Sequence, residues 1–200
     1  MRWDKSFLTL LYLNLARRQT FRAYGGVRFG GTLTLEDAWA LGFDHVAIAA
    51  GAGRPTLVSM KNGLARGVRQ ASDFLMALQL SGAYRRDSLA NLQVRLPAIV
   101  IGSGLTAIDT ATEALAYYVV QVEKALARFE ALAAAHGEEA VRARFDDEET
   151  EVLEEQLAHA RALRDERDAA AREGREPDFH PLLDAWGGVR VVYRRRLIDS

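Results

Sequence analysis

The strongest pattern in the sequence is a recurrence of apolar residues at helical spacing between residues 115 and 163. Gly137 after His136 is typical of a helix end, because glycine readily takes the left-handed conformation found there. We therefore predict two antiparallel helices, joined around residues 137–147, that bury two apolar stripes against each other. The stripe residues are Leu115, Tyr118, Val119, Val122, Leu126, Phe129 and Leu132 in the first helix and Val152, Leu153, Leu157, Ala160 and Leu163 in the second.

Upstream of these helices the pattern changes to short apolar runs next to glycines, which predicts α/β structure. Residues 43–50 form an apolar run that ends at Gly51, as expected of a buried strand entering a turn. Thr34 and Asp37 have the spacing of a capping box and predict one or two helical turns over residues 33–41. Helical spacing predicts a further helix over residues 68–80.

Residues 96–107 carry the most informative motif, a strand followed at once by G-x-G-x-x-A and a long helix. The run Ala98–Ile101 is typical of a parallel strand that is buried on both faces. Gly102 permits the tight turn, Gly104 lets a pyrophosphate approach the backbone, and Ala107 lets the helix pack close to the strand. Free N–H groups from Leu105 onward would attract the phosphates. The motif predicts a dinucleotide site, and the alternative is an ordinary turn between strand and helix.

The acidic residue that normally follows this motif by about 20 positions, at the end of a second strand, is missing here. That stretch is predicted to be helical, and the next strand is predicted at residues 189–193. We therefore expect the helix pair to be inserted between the first helix and the second strand. Arg194, Arg195 and Arg196 follow that strand. Their guanidinium groups suit a ribose 2′-phosphate, which favours NADP over NAD, and the alternative is a solvated basic tail.

Composition and charge limit which partners and which redox groups we expect for this chain. The chain has 26 basic and 27 acidic residues, so no strong net field points to nucleic acid or to an anionic membrane. It contains no cysteine, so redox chemistry would need an organic cofactor rather than a thiol pair or an iron–sulfur cluster. Residues 121–178 hold nine basic and seventeen acidic side chains, a net charge of −8 against +7 elsewhere. The helix pair is therefore either an arm that binds a protein or a self-contained, solvated insertion.

Four segments stand in order: GFDHVAIAAGAGRP at residues 42–55, GV and ASDFL between residues 67 and 75, VIGSGLTAID at residues 100–109, and VVYRR at residues 191–195. Together they resemble the middle of the glutamate synthase small chain and the related flavin half of dihydropyrimidine dehydrogenase. The resemblance implies an α/β chain with a partial Rossmann-like flavoprotein fold of two dinucleotide-binding domains, carrying the antiparallel helical hairpin as an insertion. Residues 1–95 would end the FAD-binding domain and form a linker. Residues 96–118 would be the first βα unit of the NAD(P)H-binding domain, 119–180 the acidic hairpin, and 181–200 the second strand.

The resemblance also implies roles for single residues. The positions that match the segment touching the flavin are Ala49, Ala50, Gly51 and Ala52, with Ala50 in place of the usual threonine. The positions that match the NADPH pyrophosphate loop and the start of its helix are Gly102, Ser103, Gly104, Leu105, Thr106, Ala107 and Asp109. Arg194 and Arg195 match the pair that grips the 2′-phosphate. NADPH would pass hydride to FAD, and the protein would orient the cofactors without a catalytic acid–base residue of its own.

The resemblance is incomplete, because no G-x-G-x-x-G precedes Gly42 and the cysteine motifs of the family are absent. We expect a central segment of an FAD-dependent NAD(P)H oxidoreductase that is inactive alone. Its partners would be the dinucleotides and the remainder of a larger or split oxidoreductase. The alternative is a non-catalytic interaction or assembly module built on a nucleotide-fold remnant. The four histidines lack metal-ligand spacing, and no basic stretch is interleaved with aromatic residues, so neither metal nor nucleic acid is expected.

The apolar run from Phe7 to Leu15 is about half the length that spans a bilayer. Asp4 precedes it, Arg17 and Arg18 follow it, and no small-residue cleavage site is present, so a signal peptide is not expected. The run predicts an amphipathic helix that lies on a core. The expected location is cytoplasmic, with no membrane partner.

Overall fold

The computed structural model describes residues 7–51, 55–194 and 196. The chain divides into two compact units, residues 1–56 and residues 57–200. Within the described residues the elements are, in chain order, α1 (Phe7–Ala16), α2 (Leu35–Ala40), α3 (Ala71–Leu80), β1 (Ala98–Ile101), α4 (Leu105–His136), α5 (Glu138–Arg142), α6 (Asp147–Glu173), α7 (His180–Ala185) and β2 (Val189–Val192).

In the first unit, helix α2 begins where the capping box was predicted. The Thr34 hydroxyl accepts a hydrogen bond from the Asp37 N–H at 3.1 Å, and the Thr34 N–H donates to the Asp37 carboxylate at 2.9 Å. These two bonds satisfy N–H groups that have no partner inside the helix. The hydrogen bond of Asp37 with the Thr34 backbone lowers the pKa of its carboxyl. The prediction of a short helix here is confirmed.

Helix α1 forms as a helix, but all ten of its side chains are exposed. Its apolar residues surround the helix instead of forming one stripe, so no single face can lie on a core. The expectation of an amphipathic helix lying on a core is therefore wrong for the described residues. Among the described helices, none is both long enough and apolar enough to cross a membrane.

Residues 43–50 form no strand, and most of them are exposed. Ile48, at the centre of the run, is 78% exposed. A strand exists only when a neighbouring strand completes its hydrogen bonds, and among the described residues only β1 and β2 are strands. Their ladder pairs them with each other. The apolar run takes no part in this ladder, so the predicted strand over residues 43–50 is wrong.

In the second unit, β1 and β2 form a two-stranded parallel sheet in which Ala98 pairs with Val189 and Ile101 pairs with Val192. Helix α4 contacts both strands and covers one face of the sheet. The other face is open, because Ile99 is 66% exposed and Ile101 is 55% exposed. The expectation that β1 is buried on both faces is therefore wrong.

The main core lies between α4 and α6. Tyr118 and Val122 of α4 and Leu157 and Leu163 of α6 are completely buried, and they lie on the two stripes identified in the sequence. Helix α4 ends at His136 with Gly137 after it, as predicted. The short helix α5 lies in the connection between the long helices and adds the buried Val141 to the same core.

Side-chain pairs along the two long helices follow the predicted antiparallel order. Glu123 of α4 pairs with Arg167, and Glu130, two turns further along α4, pairs with Arg164, further back along α6. Arg142, in the connecting helix α5, pairs with Glu154 near the start of α6. The prediction of an antiparallel helix pair is therefore confirmed, with the short helix α5 in its connection.

The predicted fold class is wrong. The described residues are mainly helical and contain two short strands, so they do not form a Rossmann-like flavoprotein fold of two dinucleotide-binding domains. The physical reason is that the sheet stops at two strands and one covered face, whereas that fold needs a wider parallel sheet with helices on both faces. What remains is an α/β unit in which β1, its turn and α4 follow one another as predicted.

Part of the charge asymmetry of the sequence is neutralised by ion pairs within the second unit. Three arginines from the basic part of the chain, Arg66, Arg86 and Arg95, form ion pairs with glutamates of α4 and α6. The Arg95 guanidinium contacts both Glu151 and Glu155. The acidic helices therefore bind cations of their own chain, which favours a self-contained insertion over an arm that needs a partner.

Candidate functional site

The turn between β1 and α4 starts at Gly102, which continues the sheet ladder. The Gly102 N–H donates to the Val192 carbonyl at 2.9 Å, so the turn begins directly at the end of the sheet. Gly102 has a φ of 138°, a conformation that other residues rarely adopt. A Cβ placed on Gly102 would lie 3.4 Å from the Ala107 Cβ. The glycine and the buried alanine thus allow the close approach of helix and strand that the sequence predicted.

Gly104 is the N-cap residue of α4 and faces open space. No atom lies within 4 Å of a Cβ built on it, and no side chain caps the helix. Within the described part of the chain, the N–H groups of residues 103–106 donate to no acceptor, whereas the Ala107 N–H donates to the Gly104 carbonyl at 2.9 Å. Ser103, Leu105 and Thr106 are exposed. The turn therefore presents unpaired N–H groups at the positive end of a 32-residue helix.

This arrangement suits a pyrophosphate. Backbone N–H groups that have no partner inside the helix bind phosphate oxygens, and the helix dipole adds a favourable field. Among the side chains of the first turn of α4 none is acidic, so no fixed negative charge opposes an anion there. Asp109 lies in the next turn and is half-buried, with a partner of its own. It therefore does not extend into the open space at Gly104 as a free carboxylate.

The end of β2 lies beside this turn. Arg194 is exposed and forms no ion pair with any residue that the structure describes, so its guanidinium is available to a ligand. Arg195 lies outside the described residues, and Arg196 is engaged in an interaction. Tyr193 directly follows β2, and its hydroxyl oxygen is buried without a hydrogen-bond partner. The sequence motif pointed to the arginines but not to this tyrosine.

The residues matched to the flavin segment belong to the first unit. Ala50 and Gly51 are exposed and lie in irregular structure, and Gly51 has a φ of 74°. Ala52 lies outside the described residues. In the described part of this unit we see no strand–turn–helix arrangement like that at Gly102–Leu105, so these residues do not by themselves form a dinucleotide site.

A row of polar side chains on α4 holds the segment that leads into β1. The Tyr117 hydroxyl accepts from the Leu92 N–H at 2.9 Å, and the Gln121 amide makes two bonds of 2.8 Å with the backbone of Val94. The Lys124 ammonium donates to the carbonyls of Ala83 and Ala90. Burial is the main cause that lowers the pKa of Lys124, with the neighbouring Arg128 as a second cause. This row fixes the entry to β1 and thus the position of the turn.

This polar row was not predicted from the sequence. Its residues are spaced by three or four positions along α4, the same spacing as the apolar stripe. The signal in the sequence that could have predicted it was a set of polar residues at helical spacing beside the apolar stripe. Its members are Tyr117, Gln121, Lys124 and Arg128.

An aromatic cluster joins α4, α6 and the residue after α7. The Tyr118 hydroxyl and the His159 Nδ1 are 2.6 Å apart, and the His159 ring stacks on Trp186 with 3.8 Å between ring centres. Burial, helped by the charge of Glu155, raises the pKa of Tyr118. Burial lowers the pKa of His159, and there Glu155 acts in the opposite direction. The neutral imidazole is therefore favoured, and in the tautomer that carries its proton on Nε2 the Nδ1 accepts a hydrogen bond from the Tyr118 hydroxyl. The cluster anchors the chain just before β2.

Comparison with known proteins identifies no function. No protein-family model matches the sequence, and no solved structure matches it. A protein of Rickettsia prowazekii (strain Madrid E), described as uncharacterized, is 38% identical over 200 residues. The match covers 100% of this chain and 26% of that protein, so the chain spans about a quarter of the relative's length.

Proposed function

We propose that the turn from β1 to α4 binds the pyrophosphate of NADP(H). The observation that carries this proposal is the set of unpaired N–H groups at residues 103–106, at the start of a long helix and in front of an open glycine. Gly104 admits the phosphates to the backbone, and Ala107 holds the helix close to β1. Arg194 would bind the ribose 2′-phosphate through paired N–H donors, which favours NADP(H) over NAD(H).

We further propose that the chain serves an NAD(P)H-dependent flavoprotein oxidoreductase, in which NADPH supplies a hydride to FAD. The resemblance of residues 100–109 and 191–195 to the glutamate synthase small chain supports this reading. This chain's residues would bind and orient the nucleotide, and we assign none of them a catalytic acid–base role. The described residues around Ala50 and Gly51 supply no dinucleotide turn for FAD, so FAD would be held mainly by the rest of the enzyme.

A second candidate is a non-catalytic assembly module. The open face of the sheet favours it, because Ile99, Ile101 and Val192 expose a contiguous group of β-branched side chains to solvent. The acidic helices do not favour it, because several of their glutamates are paired within the chain. An assembly module would bury the open sheet face and would bind no nucleotide.

Isothermal titration of the chain with NADPH and with NADH separates the two functions. We expect saturable binding that is tighter for NADPH. Gly104→Val should weaken both nucleotides about tenfold or more, which corresponds to at least about 1.4 kcal/mol, because the new side chain occupies the space of the pyrophosphate. Gly25→Val is the matched control, since Gly25 also has open space around its Cβ position and no positive φ. Absence of binding by the folded chain, or equal affinity in the Gly104 variant, would contradict the proposal.

A further inference from the structure

The Tyr193 hydroxyl is a buried polar atom that the fold itself does not explain. It has no hydrogen-bond partner, although the tyrosine ring around it is partly exposed. A buried hydroxyl without a partner loses its bonds to water and gains nothing in return, so folded proteins rarely keep one without a reason. A ligand that supplies the missing acceptor is one such reason.

The position of Tyr193 links it to the phosphate turn. Ile101 pairs with Val192, so extending the same register by one residue places Tyr193 beside Gly102. Residues on the two strands alternate between the open face and the face covered by α4, and Tyr193 follows the exposed Val192. Its ring is therefore directed to the α4 side of the sheet.

We propose that Tyr193 is a specificity-determining residue whose hydroxyl donates a hydrogen bond to the 2′-phosphate of NADPH. This inference rests on the proposed function of the β1–α4 turn. The hydroxyl lies at the end of β2, where the ribose of a dinucleotide is read in sites of this kind. The hydroxyl is closed to solvent in the nucleotide-free chain, so the proposal includes a turn of the partly exposed side chain that brings the hydroxyl to the bound phosphate.

The adjacent Arg194 makes the 2′-phosphate the most suitable partner. Its exposed guanidinium supplies the charge, and the tyrosine adds a neutral donor to the same group. NADH has a hydroxyl in place of this phosphate and offers the tyrosine a weaker acceptor. The hydroxyl therefore raises the affinity for NADPH and leaves that for NADH nearly unchanged.

The test compares Tyr193→Phe with the unchanged chain in titrations with NADPH, NADH and 2′-phosphoadenosine. We expect the variant to bind NADPH and 2′-phosphoadenosine about tenfold more weakly and to bind NADH as before. Thermal unfolding of the nucleotide-free variant should occur at the same or a higher temperature, because the change removes an unpaired buried hydroxyl. Tyr84→Phe, which removes an exposed tyrosine hydroxyl, is the matched control and should alter neither measurement.

The outcomes distinguish this inference from the function on which it rests. If the unchanged chain binds neither nucleotide, the proposed function fails and the inference with it. If the unchanged chain prefers NADPH and Tyr193→Phe keeps the full preference, only the role of Tyr193 is overturned. An equal loss for NADPH and NADH would show that the hydroxyl does not read the 2′-phosphate. A lower unfolding temperature of the nucleotide-free variant would show that the hydroxyl already has a partner in the fold.

Discussion

The packed helices α4 and α6 and the end of the β1–β2 sheet belong to the same unit. They differ in how far their apolar side chains are buried and their polar groups are paired within the chain. Between the helices, Tyr118, Val122, Leu157 and Leu163 are fully buried. At the sheet, Ile99 exposes 66% of its surface, and the neighbouring turn keeps its N–H groups unpaired. The helices thus bury each other's apolar side chains. At the end of the sheet, apolar side chains stay exposed and backbone N–H groups stay unpaired.

This difference separates stability from binding within one helix. Residues 117–129 of α4 hold the core and the polar row, and residues 105–107 face the open turn. Free energy of folding is concentrated where apolar area is removed from water. A ligand, in contrast, can bind only where donors are still free. Changes in the core should therefore alter unfolding, and changes in the turn should alter nucleotide affinity.

The largest expected effect on stability is at Leu157. Leu157→Ala removes a fully buried side chain between the long helices and should lower the free energy of unfolding by about 2–5 kcal/mol. Ile99→Ala, on the open sheet face, should change it by less than about 0.5 kcal/mol. Urea unfolding followed by circular dichroism measures both. Equal losses would show that the sheet face is as well packed as the helices, which would break the comparison.

The next largest effect concerns the polar row. Lys124→Met keeps the length of the side chain but leaves the carbonyls of Ala83 and Ala90 without a donor. Each buried carbonyl that loses its partner raises the free energy of the folded state, and we expect a total loss of about 1–3 kcal/mol. Lys61→Met, at an exposed position, is the control. A variant as stable as the unchanged chain would mean that these two bonds do not hold the segment before β1.

A smaller effect is the dependence of stability on pH through His159. Burial holds the pKa of folded His159 below its ordinary value of 6.5. As the pH falls below about 6.5, the unfolded chain therefore takes up this proton first, and the free energy of unfolding decreases.

Glu166 does not contribute to this pH dependence. Arg175 and the Asp178 N–H hold the pKa of Glu166 at about 2, so this carboxylate stays ionised above pH 5.

His159→Gln tests this pH dependence, because glutamine still offers an acceptor to the Tyr118 hydroxyl but does not titrate. The stability of this variant should vary less between pH 7.5 and pH 5 than that of the unchanged chain. His136→Gln, at an exposed position, serves as the control. A pH dependence that is the same in the His159 variant would locate the titrating group elsewhere.

The smallest effect concerns the ion pairs between the acidic helices and the rest of the chain. Arg95→Met breaks the contacts with Glu151 and Glu155, which are partly or largely exposed. Exposed ion pairs contribute little, so the loss should be below about 1 kcal/mol. It should shrink further in 1 M salt, where charges are strongly screened. A larger, salt-independent loss would show that Arg95 is mainly a packing residue.

Local signals in the sequence predicted the parts of the fold that depend on neighbouring residues alone. Thr34 and Asp37 marked the start of α2, Gly137 marked the end of α4, and the motif from Gly102 to Ala107 marked the turn. Each of these features is determined within about one helical turn of the chain.

The errors concern features that depend on distant partners. The apolar run at residues 43–50 has the composition of a strand but pairs with no strand, and β1 has the composition of a doubly buried strand but one covered face. Tyr193 was missed because the burial of its hydroxyl follows from the register of two strands that lie far apart in the sequence.

The most direct test of the central claim is to record the backbone amide NMR signals of the chain while NADPH is added. We predict that the largest shifts occur at residues 103–106 and at Arg194, whereas the signals of the core around Leu157 and Leu163 stay in place. Shifts of that size on α6 with an unchanged turn would contradict it, as would a spectrum that saturating NADPH leaves unchanged.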